Sequence, residues 1–90
     1  MINLNKACEI AVNYFQKEEN KTGICEILDA GSAWIFYGGN SDEIEIGAAG
    51  ITISKNDGVI EPFILPSPKG FELLDKAVDL DIPSEFQAKQ

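Results

Sequence analysis

The stretch Gly47 to Leu65, GAAGITISKNDGVIEPFIL, sets two alternating apolar runs on either side of Asp57-Gly58, and no other segment limits the fold as much. A two-residue type I′ turn needs positive φ at both central positions, which favours Asp-Gly. With that turn, Lys55 faces Ile60, Ile53 faces Pro62 and Ile51 faces Ile64. Side chains alternate along a strand, so Ile51, Ile53, Ile60 and Ile64 gather on a core face, while Thr52, Ser54, Glu61 and Phe63 point the other way. A slip of one residue would oppose Ile53 and Glu61, which disfavours a three-residue loop. Pro62 has no N–H, so the second strand is expected at a sheet edge, or with that position facing away from its neighbour.

On the N-terminal side, Leu4, Ala7, Cys8, Ala11, Val12 and Phe15 repeat at helical spacing and predict an amphipathic helix over 4–17. Asn3 is the expected N-cap, and Glu9, Asn13 and Gln16 fall on the wet side. The apolar-free run from Lys17 to Gly23 ends that helix. Two segments rich in β-branched and aromatic residues follow, 24–29 (ICEILD) and 33–37 (AWIFY), and predict a hairpin. Pairing across Ala30 and Gly31 puts Cys25 opposite Phe36 and Ile27 opposite Trp34 as core pairs. Glu26, Leu28, Ile35 and Tyr37 then share the second face, which is more apolar than a solvated surface and so suggests a contact surface.

Between Gly38 and Gly50 three acids, Asp42, Glu43 and Glu45, interleave with Ile44 and Ile46, in a loop or in a short strand over 42–46. After the central hairpin, with strands at 50–55 and 59–64, Ser67-Pro68 reads as a helix start, Ser as N-cap and Pro in the first turn. Phe71, Leu74, Ala77 and Val78 form the stripe of a helix over 68–79. Pro83 bars easy continuation, leaving a tail over 80–90 in which Leu80, Ile82 and Phe86 dock. The element order predicts one α+β domain, an antiparallel four- to five-stranded meander with both helices packed on one face.

Ninety residues suffice for one modest core, and no apolar run approaches the roughly 20 residues of a membrane span. The N-terminus lacks the basic and apolar regions of a signal peptide, so a cytoplasmic location is expected. Cys8 and Cys25 are too far apart for a CxxC motif and are expected to be reduced and buried. A formal charge of −8 with no arginine counts against nucleic-acid binding and points to a basic protein partner, or to solubility alone.

Without histidine or arginine, the chain lacks the usual general base, imidazole ligand and phosphate clamp. It carries no P-loop, nucleophile elbow or HExxH motif. The carboxylates of Asp42, Glu43 and Glu45 are the strongest candidates for Mg²⁺ or Ca²⁺, yet they lack EF-hand spacing and alternate like an exposed strand. The expectation is no catalytic residue, no metal and no cofactor. Trp34, alternating with Phe36, belongs to the core, which leaves Tyr37 as the better contact residue.

In order along the chain, the first helix, the AWIFY segment, the glycine-containing segment and the G-x-x-x-x-K-x-D-G-x-I hairpin of Gly50 to Ile60 resemble immunity protein 35, the YrhB-like family of bacterial polymorphic toxin systems. The resemblance covers residues 1–65. It implies a cytoplasmic protein that binds and neutralises a cognate toxin without catalysis. The family offers no catalytic residues to map, and this chain departs from it in having no basic residue between Tyr37 and Gly50. The partner-binding site is expected on the second sheet face, with Ile35, Tyr37 and Phe63 as apolar anchors and Asp42, Glu43 and Glu45 as steering charges. A homodimer closed by the same face is the competing expectation. A small housekeeping or stress-related interaction module is the alternative function, and a metal-dependent hydrolase built on the acidic segment is a distant third.

Overall fold

A computed structural model of the chain describes residues 1–18, 23–39, 50–63 and 68–87, leaving out the side chains at 68–70 and 73. Helix α1 spans Leu4–Glu18 and is capped by Asn3, whose Oδ1 accepts the Lys6 N–H at 2.8 Å while its carbonyl accepts the Ala7 N–H at 3.1 Å. Its stripe is fully used: Ala7, Cys8, Ala11 and Phe15 are wholly buried, and Glu9, Asn13 and Gln16 are exposed.

Strands β1 (Gly23–Asp29), β2 (Ala33–Gly39), β3 (Gly50–Ser54) and β4 (Ile60–Phe63) form the antiparallel meander read from the sequence. Helix α2 (Pro68–Lys76) is followed by strand β5 (Val78–Leu80), which pairs antiparallel with the free side of β1, giving the order β4-β3-β2-β1-β5. The helix expected over 68–79 therefore ends at Lys76, and Val78 belongs to a strand. A short 3-10 turn, Ser84–Phe86, closes the described chain. Leu80, Ile82 and Phe86 dock on the main core as expected.

Both hairpins differ in register from the sequence reading, each by two residues. Asp29 opposes Trp34 and Ile27 opposes Phe36, because the first loop is Gly31-Ser32, closed by the Ala30 N–H donating to Ala33 O at 2.9 Å. Gly31 has φ 91°, at the first central position where type II′ turns require glycine. In the second hairpin Ile53 opposes Ile60 and Ile51 opposes Pro62. Its loop is Lys55-Asn56-Asp57-Gly58 and not a two-residue turn. The Gly58 N–H donates to Ser54 O at 2.9 Å, Gly58 takes φ 76°, and Asp57 Oδ1 accepts the Val59 N–H at 3.1 Å. A shift of two preserves the parity of every side chain, so Ile51, Ile53 and Ile60 still face the main core.

Side-chain parity places α1 on one face of the sheet, against Ile24, Ile27, Trp34, Phe36, Ile51 and Ile53. The second helix is not on that face. Leu74, together with Ala77 just beyond α2, packs against Leu28, Ala30, Ile35 and Phe63 on the opposite side. Strand β5 explains the correction, since a chain that leaves β4 at one edge and pairs beside β1 at the other must pass over one face, and α1 already occupies the first.

Cys25 is exposed and not buried. A bulge between Ile24 and Glu26 leaves it as the extra residue of β1, and Ile24 takes the core position instead. Cys8 is buried on α1 as expected.

Candidate functional site

The second sheet face was the expected contact surface, and a row crosses it through Glu26, Tyr37, Gly50 and Phe63 on four adjacent strands. Glu26 opposes Tyr37 and Gly50 opposes Phe63. A Cβ at Gly50 would lie 3.0 Å from Tyr37 Cε1, so the absent side chain is what lets the Tyr37 ring reach across β3. That ring meets Phe63 edge to face, with centroids 6.3 Å apart and an 87° angle between planes. Burial, and after it the negative charge of Glu26, raises the Tyr37 hydroxyl pKa above its ordinary value.

Of the three expected apolar anchors, only Tyr37 reaches the surface. Ile35 is 0% exposed and Phe63 4%, both inside the cluster completed by Leu74 and Ala77. The surplus of apolar residues on this face is thus taken up within the molecule: it seats the second helix. Asp42, Glu43 and Glu45, with the proposed strand over 42–46, lie outside the described residues, as does the expected N-cap Ser67.

The surface on this side includes α2. Phe71 is 55% exposed and lines a shallow hollow with Glu72, Leu74 and Asp75. Sequence reading put Phe71 in the buried stripe of the helix. Its spacing to Leu74 fits that stripe equally well, so no signal in the sequence tells which end of so short a stripe overhangs the sheet. Toward the turns, a second hollow is lined by residues that include Ser32, Thr52, Ser54, Val59 and Glu61.

Chemically this surface offers aromatic and aliphatic contact with carboxylates beside it. Among the described residues, no group of three or more His, Cys, Asp or Glu side chains is arranged to hold a metal ion, and every buried side-chain polar atom has a hydrogen-bond partner. No described helix is long and apolar enough to cross a membrane. No protein-family model, curated protein or solved structure matches the chain.

Proposed function

We propose that the chain is a non-catalytic cytoplasmic binding protein that neutralises a cognate bacterial toxin by direct contact, and that α2 and the adjoining margin of the sheet carry the contact. The observation that supports it most is Phe71, more than half exposed on a helix where the neighbouring Glu72 and Asp75 are both carboxylates. An exposed ring with charges around it is the composition of a binding hot spot, in which the ring supplies affinity and the charges supply the rate of encounter. The net charge of −8 favours a basic partner surface, and the resemblance to immunity protein 35 supplies the class of that partner.

In this reading Ile35 and Phe63 act from beneath, holding the cluster on which Leu74 sits. Tyr37 is a marginal contact, and Asp42, Glu43 and Glu45 add to the steering field. The test is co-purification and calorimetry with the toxin encoded beside this gene. A stoichiometric complex that protects against the toxin supports the reading, whereas a toxin that neither binds nor is inhibited removes it. Sedimentation of the isolated chain identifies the competing homodimer.

A further inference from the structure

We propose that Asp57-Gly58 is a site of spontaneous isomerisation to isoaspartate which the folded loop keeps closed, so that the modification marks chains that have unfolded. Among the aspartates of the sequence, only Asp57 is followed by glycine. Glycine has no Cβ to shield its amide nitrogen. The reaction needs no reagent but water. The Gly58 nitrogen attacks Cγ of the protonated Asp57 carboxyl; the N–Cγ bond forms, the Cγ–OH bond breaks, and the amide proton and the hydroxyl leave as water, closing a succinimide ring. Water then adds to one of the two ring carbonyls. Addition at Cγ restores aspartate, whereas addition at the α-carbonyl cleaves its bond to the Gly58 nitrogen and leaves a main chain that runs on through Cβ and Cγ.

In the folded chain both reacting groups are held. The Gly58 N–H donates to Ser54 O at 2.9 Å, Asp57 Oδ1 accepts the Val59 N–H at 3.1 Å, and the Asn56 N–H donates to Ser54 Oγ at 3.3 Å. Attack has to break the first of these bonds and swing the carboxyl out of the second. The chain's first residues back the loop as well: Gly58, at φ 76°, lies where a Cβ would stand 3.5 Å from both Ile2 Cδ1 and Ile10 Cδ1, and Lys55 O accepts the Ile2 N–H at 2.9 Å. Rearrangement therefore waits for the loop to open. Its product no longer fits, because isoaspartate adds an atom to the main chain between Ser54 and Val59, which the Ser54 N–H bond to Val59 O at 3.1 Å holds together. It also consumes the carboxylate that accepted the Val59 N–H.

The test incubates the full chain in warm neutral buffer, folded in one arm and in guanidinium chloride in the other, with circular dichroism verifying each state. Isoaspartate leaves the mass unchanged but resists the protease that cuts before aspartate, so digestion, chromatography and mass spectrometry count it at position 57. It should accumulate in the unfolded chain, roughly tenfold or more slowly in the folded one, and hardly at all in unfolded Gly58→Ala, whose methyl group shields the nitrogen. Purified and returned to native buffer, the isomerised chain should unfold at a lower denaturant concentration than its parent. Three results overturn the proposal: no isoaspartate at position 57 in the unfolded chain, equal rates in the two arms, or an isomerised chain as stable as the parent. None depends on toxin binding, so the outcome is separate from that of the proposed function.

Discussion

Lys55 Nζ lies 2.7 Å from Asp29 Oδ1, and this ion pair joins the two hairpin turns of the sheet. The same carboxylate oxygen accepts the Gly31 N–H at 2.9 Å, which shapes the first turn, and the Lys55 ammonium stands 5.2 Å from the centre of the Trp34 ring. Lys55 also donates its N–H to Ser32 O at 3.2 Å and accepts the Ile2 N–H at 2.9 Å, so the chain's first residues are tied to the same corner. The Lys55 hydrogen bond, followed by that from Gly31, holds the Asp29 carboxyl below its ordinary pKa.

A lowered carboxyl pKa means that the folded chain binds fewer protons than the unfolded chain between the two values, so stability rises with pH there. The contribution is complete above the unfolded carboxylate value of about 4 and is lost as pH falls through the folded one. Asp29 is a third exposed, which screens the pair, so Lys55→Met should cost about 1 kcal/mol at neutral pH. Denaturant midpoints of the two proteins should converge in acid. A difference that is the same at every pH would show that the carboxylate is not the source.

Gly38 carries the Phe15 ring. A Cβ there would fall 2.5 Å from Phe15 Cγ, and Phe15 is wholly buried, so neither can give way cheaply. Gly38→Ala is expected to destabilise by about 1–3 kcal/mol through overpacking. Adding Phe15→Leu should recover part of that loss, because the smaller side chain leaves the glycine position room. Thermal unfolding of the four proteins of this cycle measures the coupling, and simple additivity would place the ring elsewhere.

The two cysteines should differ sharply in reactivity. Burial, with a smaller effect of the Glu85 charge, pushes the Cys8 thiol up to about 11, and Cys25 stands exposed on the bulge. The thiolate is the nucleophile, so a thiol reagent at mildly alkaline pH should label Cys25 alone in the native protein and both after denaturation. Mass spectrometry of the labelled peptides decides it, and rapid native labelling of Cys8 would contradict its place in the core.

For the proposed contact surface, Phe71→Ala should leave the melting temperature nearly unchanged, because the ring is already more than half in solvent. If the proposed toxin binding holds, affinity should fall by about 2 kcal/mol, mostly through faster dissociation. Glu72→Gln with Asp75→Asn should instead slow association and flatten its salt dependence. Stopped-flow kinetics separates the two. Equal effects on the two rates from both variants would argue against this division between ring and charges.

The elements legible in the sequence are those whose pattern is local. The α1 stripe from Leu4 to Phe15, its Asn3 cap and the four strands of the meander all follow from residues within a few positions of each other. The hairpin registers were less legible, since loop length rests on whether Lys55 and Asn56 join the turn, which the strands' alternation does not decide. Parity survived because both errors were even. What escaped the sequence is non-local. Val78-Asp79-Leu80 is too short to read as a strand until β1 offers it an edge, and the side taken by α2 follows from that pairing. The reading of Ile35 and Phe63 as exposed anchors failed for the same reason, as their cover comes from Leu74 and Ala77, far along the chain.

The pairing of β5 with β1 also sets an order of events. The hairpins of the meander join neighbours in sequence, whereas Ile27 meets Leu80 and Ile24 meets Gln87 across most of the chain. Closing so long a loop costs entropy that only the finished meander can repay, so the β1–β5 ladder should form after the rate-limiting barrier. Leu80→Ala should accordingly speed unfolding and leave the folding rate almost untouched, as stopped-flow chevrons would show. Until its C-terminal strand arrives, the growing chain has a bare edge at the strand it made first, which makes the last strand the latch of the fold as well as its border.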